Sequence, residues 1–496
     1  MPKQTSIILV LILLASALLG SSVLTRGHFW GDDFAAYIGQ AQSILRGEMD
    51  RFVARNGFTV SQSSREEGHQ MGPAAYPWGF PLMLVPIYWL TGLSPLALKL
   101  LGLLMYLGFL LAFFFLTKRP FALTESLPVP ERVLAVSLFA FNPELLQFLD
   151  NILSDIPFLF LSTLAILLAD LYTHETETRR RLTLAALTGA AIFAAFFVRT
   201  QGLILLGSVL VFQGIRFLGQ REQRRGIVVD SLTIMAVFGT LWGASYLIFP
   251  SGQTSYLALY EDFSIDTFTG NIVSYSRLFK EFFATLPGQA LFFNIFVVLL
   301  FIGLVVRFKA DLLFVLYAAL YLIVLWTWPE WQGYRFLFPM LPFFIYFAIQ
   351  GIRATLDKLG ENQKAILQKV AYAYLLLIAA LFAYNSGLNA YANLRANREI
   401  NGPFDLYSIE TFDFIKNNTP LDSVIVFFKP RAMRLMTDRD ALALTECSRI
   451  LEGDYLALSK KVGENLQIPP EQIDECNLPL DKAFENRRFV VYQVME

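Results

Sequence analysis

The stretch Gly31-Asp32-Asp33-Phe34 directly follows the first apolar segment of the chain. An apolar stripe recurs every three or four residues from Phe34 and ends before Gly47, which predicts a helix over residues 34–46. An aspartate at a helix start accepts hydrogen bonds from free backbone amides and suits the positive end of the helix dipole. We assign that capping role to Asp32. Asp33 is then the first candidate for a general base.

The composition predicts a membrane protein with several spans. Of the 496 residues, 55% are hydrophobic and only 16% are charged, whereas about a quarter of an average soluble domain is charged. The charged residues cluster between long apolar runs, and the mean hydropathy is +0.49. A net charge of −1 provides no general basic field, so nucleic acid is not an expected partner.

Apolar runs long enough to approach the ~20 residues of a membrane-spanning helix occur about eleven times. The run at residues 82–90 is too short and is interpreted as a surface helix. The first run contains small residues that also fit a signal peptide, but it is longer than a normal signal-peptide core and is taken as a retained span. The predicted spans are 1–24, 95–116, 132–148, 156–172, 182–198, 203–217, 226–249, 290–306, 311–326, 336–351 and 370–384.

The distribution of lysine and arginine predicts the orientation. With the N-terminus in the cytoplasm, basic clusters such as residues 179–181 and 216–225 lie inside, and the short outer turns hold only Arg199 and Arg335. The first polar loop, residues 26–76, then lies outside the cytoplasm. The odd number of spans also places the C-terminus outside, in a multi-pass protein of the plasma (inner) membrane.

The C-terminal tail, residues 385–496, lacks the long apolar runs of residues 1–384. Its pattern predicts helices at 409–416 and 431–436 and strands at 423–428 and 489–494, as in a small α/β domain. The two cysteines of the chain, Cys447 and Cys476, both lie here. An oxidising location would permit a disulfide, but the spacing does not decide whether they pair.

Acidic residues at predicted membrane boundaries require an explanation, because charges that face lipid are costly. Asp155 opens a span within Ser154-Asp155-Ile156-Pro157. A local role is open there, with Ser154 as cap and Asp155 at the positive helix end. The same turn also contains Asp150, for which the sequence offers no cation close by in the chain.

The two outer-turn cations also have two explanations. Arg199 and Arg335 could pair with Asp33, Asp155 or Glu330. Alternatively they could bind an anion, since a guanidinium in a partly dry site holds phosphate through two parallel hydrogen bonds. Carboxylates and arginines beside a membrane suit the transfer of a group from a lipid-linked phosphate to a hydroxyl. A carboxylate would accept the proton, and the arginines would stabilise the departing phosphate.

Histidines of the first polar loop offer a weaker possibility. His28 and His69 could join Asp32 or Asp33 around a divalent metal, but their spacing matches no known ligand pattern. Hydrogen-bonded or solvated side chains are the alternative. We therefore predict no cofactor, with a metal left open.

Five short motifs occur in order along the chain: Asp32-Asp33-Phe34, Tyr76-Pro77-Trp78-Gly79-Phe80-Pro81, Leu153-Ser154-Asp155-Ile156-Pro157-Phe158, Arg199-Thr200-Gln201-Gly202 and Gly333-Tyr334-Arg335-Phe336-Leu337-Phe338-Pro339. Together they resemble the GT-C glycosyltransferase superfamily, and in particular the protein O-mannosyltransferase and lipid A aminoarabinose transferase-like branch. The likeness covers the membrane part and extends into the tail at residues 410–427. One departure is Trp78, where the family commonly has the second proline of Tyr-Pro-Pro-Gly.

The resemblance implies a GT-C membrane fold and a polyprenyl-phosphate-linked sugar as donor. It also implies an acidic base in the first outer loop, at Asp33 or Asp32, and a second acidic position at Asp155. The phosphate-binding basic residues would fall on Arg199 and Arg335. Candidate substrate contacts in the same segments are Tyr76, Glu330, Tyr334 and His69.

The function predicted from the sequence is therefore sugar transfer to an acceptor outside the cytoplasm, which could be a protein, a lipid or an envelope glycan. Inversion with Asp33 as base is expected; a nucleophilic aspartate is the alternative mechanism. A transporter or flippase for a lipid-linked saccharide is a rival, although transporters place ionisable groups at mid-membrane and often show repeats. An inactive GT-C-fold binding platform is the other rival.

Overall fold

A computed structural model of the protein describes residues 3–64, 72–118, 127–252, 263–329, 331–396, 398, 400–461 and 467–495. These residues are mostly helical, with a small sheet near the C-terminus. The helices are α1 (Lys3–Val23), α2 (Asp33–Arg46), α3 (Met49–Gln62), α4 (Gly79–Thr91), α5 (Pro95–Lys118), α6 (Val129–Ala140), α7 (Pro143–Phe148), α8 (Asp155–Thr173), α9 (Thr178–Val198), α10 (Leu203–Gly219), α11 (Arg224–Ile248), α12 (Ile265–Leu278), α13 (Gln289–Arg307), α14 (Leu312–Thr327), α15 (Leu341–Leu356), α16 (Glu361–Ala396), α17 (Leu406–Asn418) and α18 (Pro430–Thr437).

Nine helical segments of the described chain are long and apolar enough to cross a membrane, and the protein is a multi-pass membrane protein. Eight of the eleven predicted spans lie in α1, α5, α8–α11, α13 and α16, and a ninth lies in α15 with the 3-10 helix before it. The other two are shorter. The nine segments are Gln4–Val23, Pro95–Lys118, Asp155–Thr173, Thr178–Val198, Thr200–Gly219, Arg221–Ile248, Gln289–Arg307, Tyr334–Leu356 and Glu361–Ala396.

One of the two shorter segments differs from the prediction for a local reason, and the other lies where it was predicted. The predicted span over 132–148 is divided into α6, of 12 residues, and α7, of 6 residues. Asn142 precedes Pro143 and takes an extended conformation, as residues before proline do, and its side chain accepts a hydrogen bond from the Leu145 amide at 3.1 Å. A new helix therefore starts at Pro143. The other segment, α14, has 16 residues, fewer than the ~20 of a typical span.

The first polar loop is more ordered than its sequence suggested. The predicted helix at 34–46 is confirmed as α2, which ends at Gly47 in the left-handed conformation (φ 68°) that glycine adopts without strain. A second helix, α3, follows directly and was not predicted. The short apolar segment after the loop forms α4, a separate helix of 13 residues.

Two glycines bring a pair of spans into backbone contact. A Cβ atom at Gly303 of α13 would lie against the Phe347 carbonyl of α15, and one at Gly351 of α15 would lie against the Leu299 carbonyl of α13. Small residues at such a crossing let helix backbones approach closely. Because α15 continues a 3-10 helix that begins at Tyr334, this crossing also fixes the position of Arg335.

The tail folds around a mixed five-stranded sheet. Its strands are β1 (Val424–Val426), β2 (Asp440–Leu442), β3 (Tyr455–Ser459), β4 (Leu480–Glu485) and β5 (Phe489–Val494), in the spatial order β2-β1-β3-β5-β4. The first three strands are parallel, and β5 runs antiparallel to β3 and β4. Helices α17 and α18 and strands β1 and β5 lie where the sequence predicted them. The preceding helix α16 runs past the predicted boundary at 384, and a disulfide joins Cys447 to Cys476.

The tail packs directly on the first polar loop. The ring of Trp30 lies among four phenylalanines of the tail, at centroid distances between 4.9 and 6.4 Å. In α3, the Thr59 hydroxyl donates to the Ala441 carbonyl of β2 at 2.8 Å, and Arg55 donates to Asp440 at 2.8 Å. These contacts hold α18 of the tail against α2 and α3.

Candidate active site

Asp33 is the first residue of α2, and its carboxylate is held from two sides. Tyr76 donates its hydroxyl proton to Oδ1 at 2.6 Å, and Nη1 of Arg335 lies 3.4 Å from Oδ2. The Asp33 side chain keeps 33% of its surface exposed. Since the contact with Arg335 is long for a charged hydrogen bond, Oδ2 can accept a further proton donor.

The surroundings of Asp33 favour its charged form. Burial alone would raise its pKa, but the charge of Arg335, the Tyr76 hydroxyl and the charge of Arg431 together hold the pKa below its usual value. Asp33 is therefore ionised at neutral pH, as a proton acceptor must be.

Asp32 lies beside Asp33 in sequence but faces the tail. Its side chain makes no capping hydrogen bond to α2, so the predicted capping role is wrong; only its carbonyl accepts a bond, from the Ala36 amide at 3.0 Å. Burial raises the pKa of Asp32, against Lys429, Arg431 and the Ala432 amide, which favour the charged form. Among the described residues its Oδ1 atom has no hydrogen-bond partner. Asp32 thus lies in an environment opposite to that of Asp33.

Asp155 and Arg199 form a closed ion pair. Asp155 begins α8, Arg199 follows α9, and Nη1 of the arginine is hydrogen-bonded to Oδ1 of the aspartate. Only 2% of the Asp155 side chain and 13% of the Arg199 side chain are exposed. Burial disfavours the Arg199 charge, but Asp155, Tyr37 and Tyr321 outweigh it and raise the arginine pKa. Arg199 is therefore held in its charged form.

The residue Ser154 does not cap α8, although the sequence allowed that role. Its hydroxyl lies 3.0 Å from the Tyr37 hydroxyl of α2, and its side chain makes no cap bond. The Tyr37 ring in turn packs against the Tyr76 ring, with centroids 4.8 Å apart. Buried tyrosines therefore connect the start of α8 to the start of α2.

Phe336 brings the two arginines to one place. The Arg199 guanidinium lies 4.4 Å from the centroid of this ring, and that of Arg335 lies 5.6 Å from it. Arg335 also interacts electrostatically with Asp155. Both arginines that the sequence singled out thus lie at a single aromatic ring, and each of them contacts one of the two acids.

The sequence did not identify Arg431 as a site residue. This arginine of α18 is buried, and its Nη1 lies 3.4 Å from the Tyr76 hydroxyl that holds Asp33. Its other hydrogen bonds go to the carbonyls of Gly72 and Pro73 and to the Asn56 side chain, at 2.7, 2.9 and 3.2 Å. No pattern in the sequence predicts a contact between a tail residue and the first polar loop. Arginines at 431 and 434 do share one face of a short helix, which marks that face as a contact surface.

The remaining candidate contacts have different positions. Tyr76 lies in the site, as described above. Tyr334 packs its ring against Phe338, at 5.3 Å between centroids, and its buried hydroxyl has no hydrogen-bond partner among the described residues. No described contact joins Tyr334 to Asp33. Glu330 and His69 lie outside the described residues.

His28 serves the fold and is not available as a ligand in this arrangement. Its Nε2 accepts a hydrogen bond from the Ile152 amide at 3.1 Å, so Nδ1 carries the proton that is donated to the Phe29 carbonyl at 2.8 Å. Burial lowers the pKa of His28 to about 4, so the ring is neutral. In the described parts of the chain, no group of three or more histidine, cysteine, aspartate or glutamate side chains is placed to hold a metal ion.

Asp150 has a cation partner from a distant part of the chain, 51 positions away. Lys99 of α5 extends its ammonium group to Asp150 at 2.5 Å, and also donates to the Thr25 hydroxyl at 3.0 Å and the Gly27 carbonyl at 2.6 Å. The Asp150 carboxylate also accepts a hydrogen bond from the Thr25 amide, at 2.7 Å. This buried network fixes the exit of α1 and therefore the start of the first polar loop.

Comparison with solved structures identifies the fold. No protein-family model matches the sequence, and no curated protein matches it. ArnT from Cupriavidus metallidurans bound to undecaprenyl phosphate is similar over 97% of both chains, with a TM-score of 0.62 and 12% identity. The apo form of the Archaeoglobus fulgidus oligosaccharyltransferase is similar over 99% of this chain and 74% of that one, with a TM-score of 0.61 and 14% identity.

A second structure of the archaeal enzyme, AglB in complex with an inhibitory peptide and a dolichol-phosphate, has a TM-score of 0.58 at 12% identity. Likeness at this level of identity concerns the fold. It spans both the membrane helices and the tail, since nearly the whole chain is covered. The predicted architecture is thereby confirmed: the chain has the GT-C fold, with a small C-terminal α/β domain.

Proposed function

We propose that this protein is an integral membrane glycosyltransferase that moves a sugar from a polyprenyl-phosphate carrier to an acceptor hydroxyl outside the cytoplasm. The observation that carries the proposal is the partly exposed, ionised carboxylate of Asp33 beside Arg335, with the Asp155–Arg199 pair at the same Phe336 ring. The similar proteins support it, because ArnT was solved with undecaprenyl phosphate and AglB with a dolichol-phosphate.

The step is a single displacement at the anomeric carbon. Asp33 Oδ2 takes the proton of the acceptor hydroxyl while the hydroxyl oxygen forms a bond to the anomeric carbon. The bond from that carbon to the phosphate oxygen breaks, and its electron pair stays with the polyprenyl phosphate. Attack from the face opposite the leaving group inverts the configuration.

Asp33 is the best placed of the three acids to act as this base. Asp155 is almost completely buried and its carboxylate is bound by Arg199. Asp32 faces α18, and burial raises its pKa. Asp33 alone among the three combines an exposed oxygen with surroundings that keep it charged.

The arginines take different parts in stabilising the leaving phosphate. Arg335 holds Asp33 by one long contact, so it can turn toward a phosphate with little loss. Arg199 is bound to Asp155, so it supplies a fixed positive charge at the Phe336 ring. A positive charge already in place at the departing oxygen is an effective form of transition-state stabilisation.

The proposed orientation follows the charge distribution of the sequence. The N-terminus is cytoplasmic, and the first polar loop and the tail lie outside the cytoplasm of a plasma (inner) membrane. The Cys447–Cys476 disulfide fits an exported tail. The protein would therefore meet its lipid carrier in the membrane and its acceptor, which could be a protein, a lipid or an envelope glycan, on the outer side.

The test is turnover by the purified full-length protein in lipid nanodiscs, supplied with a panel of polyprenyl-phosphate sugars. Release of free polyprenyl phosphate requires bond cleavage, which neither a flippase nor a binding platform performs. Asp33→Asn should abolish release, while Asp50→Asn, at an exposed acid of α3, should not. Retention of the anomeric configuration in the product would refute the single displacement. Equal turnover of the Asp33→Asn variant and the wild type would refute the assignment of Asp33 as the base.

A further inference from the structure

A cavity of about 350 Å³ lies between helices α2 and α3 of the first polar loop and α18 of the tail. This volume falls in the range of about 300–1,000 Å³ that is typical of small-molecule sites. Five arginines line the cavity, against two carboxylates, Glu48 and Asp438. The arginines are Arg46, Arg51, Arg55, Arg431 and Arg434.

The two carboxylates do not neutralise the cavity. Glu48 lies 3.5 Å from Arg51, and Asp438 lies 2.6 Å from Arg55. Outside the lining, Asp440 contacts Arg55 at 2.8 Å and Arg434 at 3.3 Å. In the part of the chain that the structure describes, neither Arg46 nor Arg431 has a carboxylate oxygen within the 4.0 Å of an ion pair. The cavity wall therefore carries an excess of positive charge.

The buried arginines show the effect of this excess. Burial, together with the charges of Arg55 and Arg431 and against the favourable charge of Asp440, lowers the pKa of Arg434 to about 10. Arg431 is also buried, and its hydrogen bonds go to carbonyl, amide and hydroxyl oxygens, while Asp32 and Asp33 interact with it electrostatically without an ion-pair contact. Cations that line one cleft raise the local concentration of anions.

We propose that this cavity binds a carboxylate or phosphate group carried by the donated sugar or by the acceptor. The inference rests on the proposed glycosyl transfer and adds to it the charge of a substrate. The donor's own phosphate is assigned to Arg335 and Arg199, which do not line the cavity. The bound anion is therefore a second negative group, and arginines suit it because their planar fork matches both carboxylate and phosphate.

The position of the cavity links it to the site. Arg431 lies in its wall and also contacts the Tyr76 hydroxyl, which donates to Asp33. An anion bound here would place the attached sugar ring next to the base. Two substrates could carry this anion: the donor, as an acidic sugar, or the acceptor, as an acidic group.

The first experiment measures binding to the purified full-length protein by calorimetric titration and thermal unfolding. The probes are glucuronate and inorganic phosphate, with glucose as the neutral counterpart of glucuronate. We expect either anion, but not glucose, to raise the unfolding temperature. The double variant Arg46→Gln/Arg51→Gln should weaken anion binding about 10-fold or more. Arg487→Gln, at an exposed arginine of the tail outside the cavity, should leave it unchanged.

Three results would overturn the proposal: no response to either anion, the same response to glucose as to glucuronate, or an equal loss in Arg487→Gln. The transfer assay then separates the sources. A rise in KM for the donor alone in the double variant assigns the anion to the donated sugar, and a rise for the acceptor alone assigns it to the acceptor. Selective anion binding without any sugar transfer would support an anion site in the cavity and refute the proposed function.

Discussion

The molecule contains two aspartate–arginine pairs that meet at one phenylalanine ring, and they differ in almost every other respect. Asp33 and Arg335 lie 3.4 Å apart, and each is about one third exposed. Asp155 and Arg199 are in closer contact and almost completely buried. The same two residue types thus form an open pair at the mouth of the site and a closed pair behind it.

The difference shows that burial, more than residue type, assigns the roles. A buried pair cannot release one partner without leaving an unpaired charge, so Asp155 and Arg199 act together as a fixed support. A partly exposed pair gains less from its contact than a buried one, so Asp33 and Arg335 can exchange partners at lower cost. Each of the following predictions tests one side of this contrast.

The largest expected effect is the loss of turnover in Asp33→Asn. An amide cannot accept the acceptor proton, so kcat should fall by about 10²- to 10⁴-fold. The unfolding temperature should change little, because the pair is exposed. Polyprenyl phosphate release by the variant and its thermal unfolding in detergent measure both quantities. A large drop in stability with normal turnover would reverse the roles that we give the two pairs.

Asp155→Asn should act mainly on stability. It leaves the Arg199 charge buried and uncompensated, which destabilises a folded protein by about 3–5 kcal/mol. Thermal unfolding in detergent should show a clear decrease relative to Asp50→Asn. If Asp155→Asn folds as well as the wild type and loses only activity, then Asp155 acts directly in the chemistry.

Arg335→Gln should weaken donor use without unfolding the protein. The loss of one charged hydrogen bond to the donor phosphate should raise KM for the donor about 10- to 100-fold. Kinetics with varied donor concentration give this value, and Arg487→Gln provides the matched loss of one exposed arginine. An unchanged KM for the donor would show that Arg335 does not bind the donor phosphate.

The smallest effect is expected for Tyr76→Phe and lies in the pH dependence. Asp33 has a lowered pKa, so wild-type activity should persist through the usual aspartate range and fall only as the pH drops through the lowered value. Tyr76→Phe removes a hydrogen bond that favours the carboxylate, so the acid limb of kcat/KM should move to higher pH. A shift to lower pH would contradict the contact between Tyr76 and Asp33.

Much of this arrangement was predictable from the sequence. Long apolar runs located most of the spans, because length and hydropathy are local properties. Asp33, Asp155, Arg199 and Arg335 could be singled out because the predicted short outer turns hold only these two basic residues and because charges that face lipid are costly. The break at Pro143 was also local, yet the apolar residues on both sides masked it.

The contacts missed in the sequence depend on the fold. Arg431 reaches Tyr76 from 355 positions along the chain, and no local pattern records such a contact. Lys99 is different, because a lysine inside an otherwise apolar span is itself a signal of a buried partner. That partner is Asp150. The capping role of Asp32 was wrong because Lys429, Arg431 and the start of α18 lie beside its carboxylate, and they belong to the tail.

The hydrogen bond from Thr59 to Ala441 has a consequence for biogenesis. The two residues are 382 positions apart, so at 5–20 residues per second α3 is made roughly 20 to 80 s before β2 exists. During that interval Asn56, Thr59 and Trp30 lack the partners that finally surround them. The nascent loop must therefore wait, exposed to proteases and open to chaperones, until the last hundred residues are made. Removal of the tail should leave the loop that carries the base unable to mature, even with every span inserted.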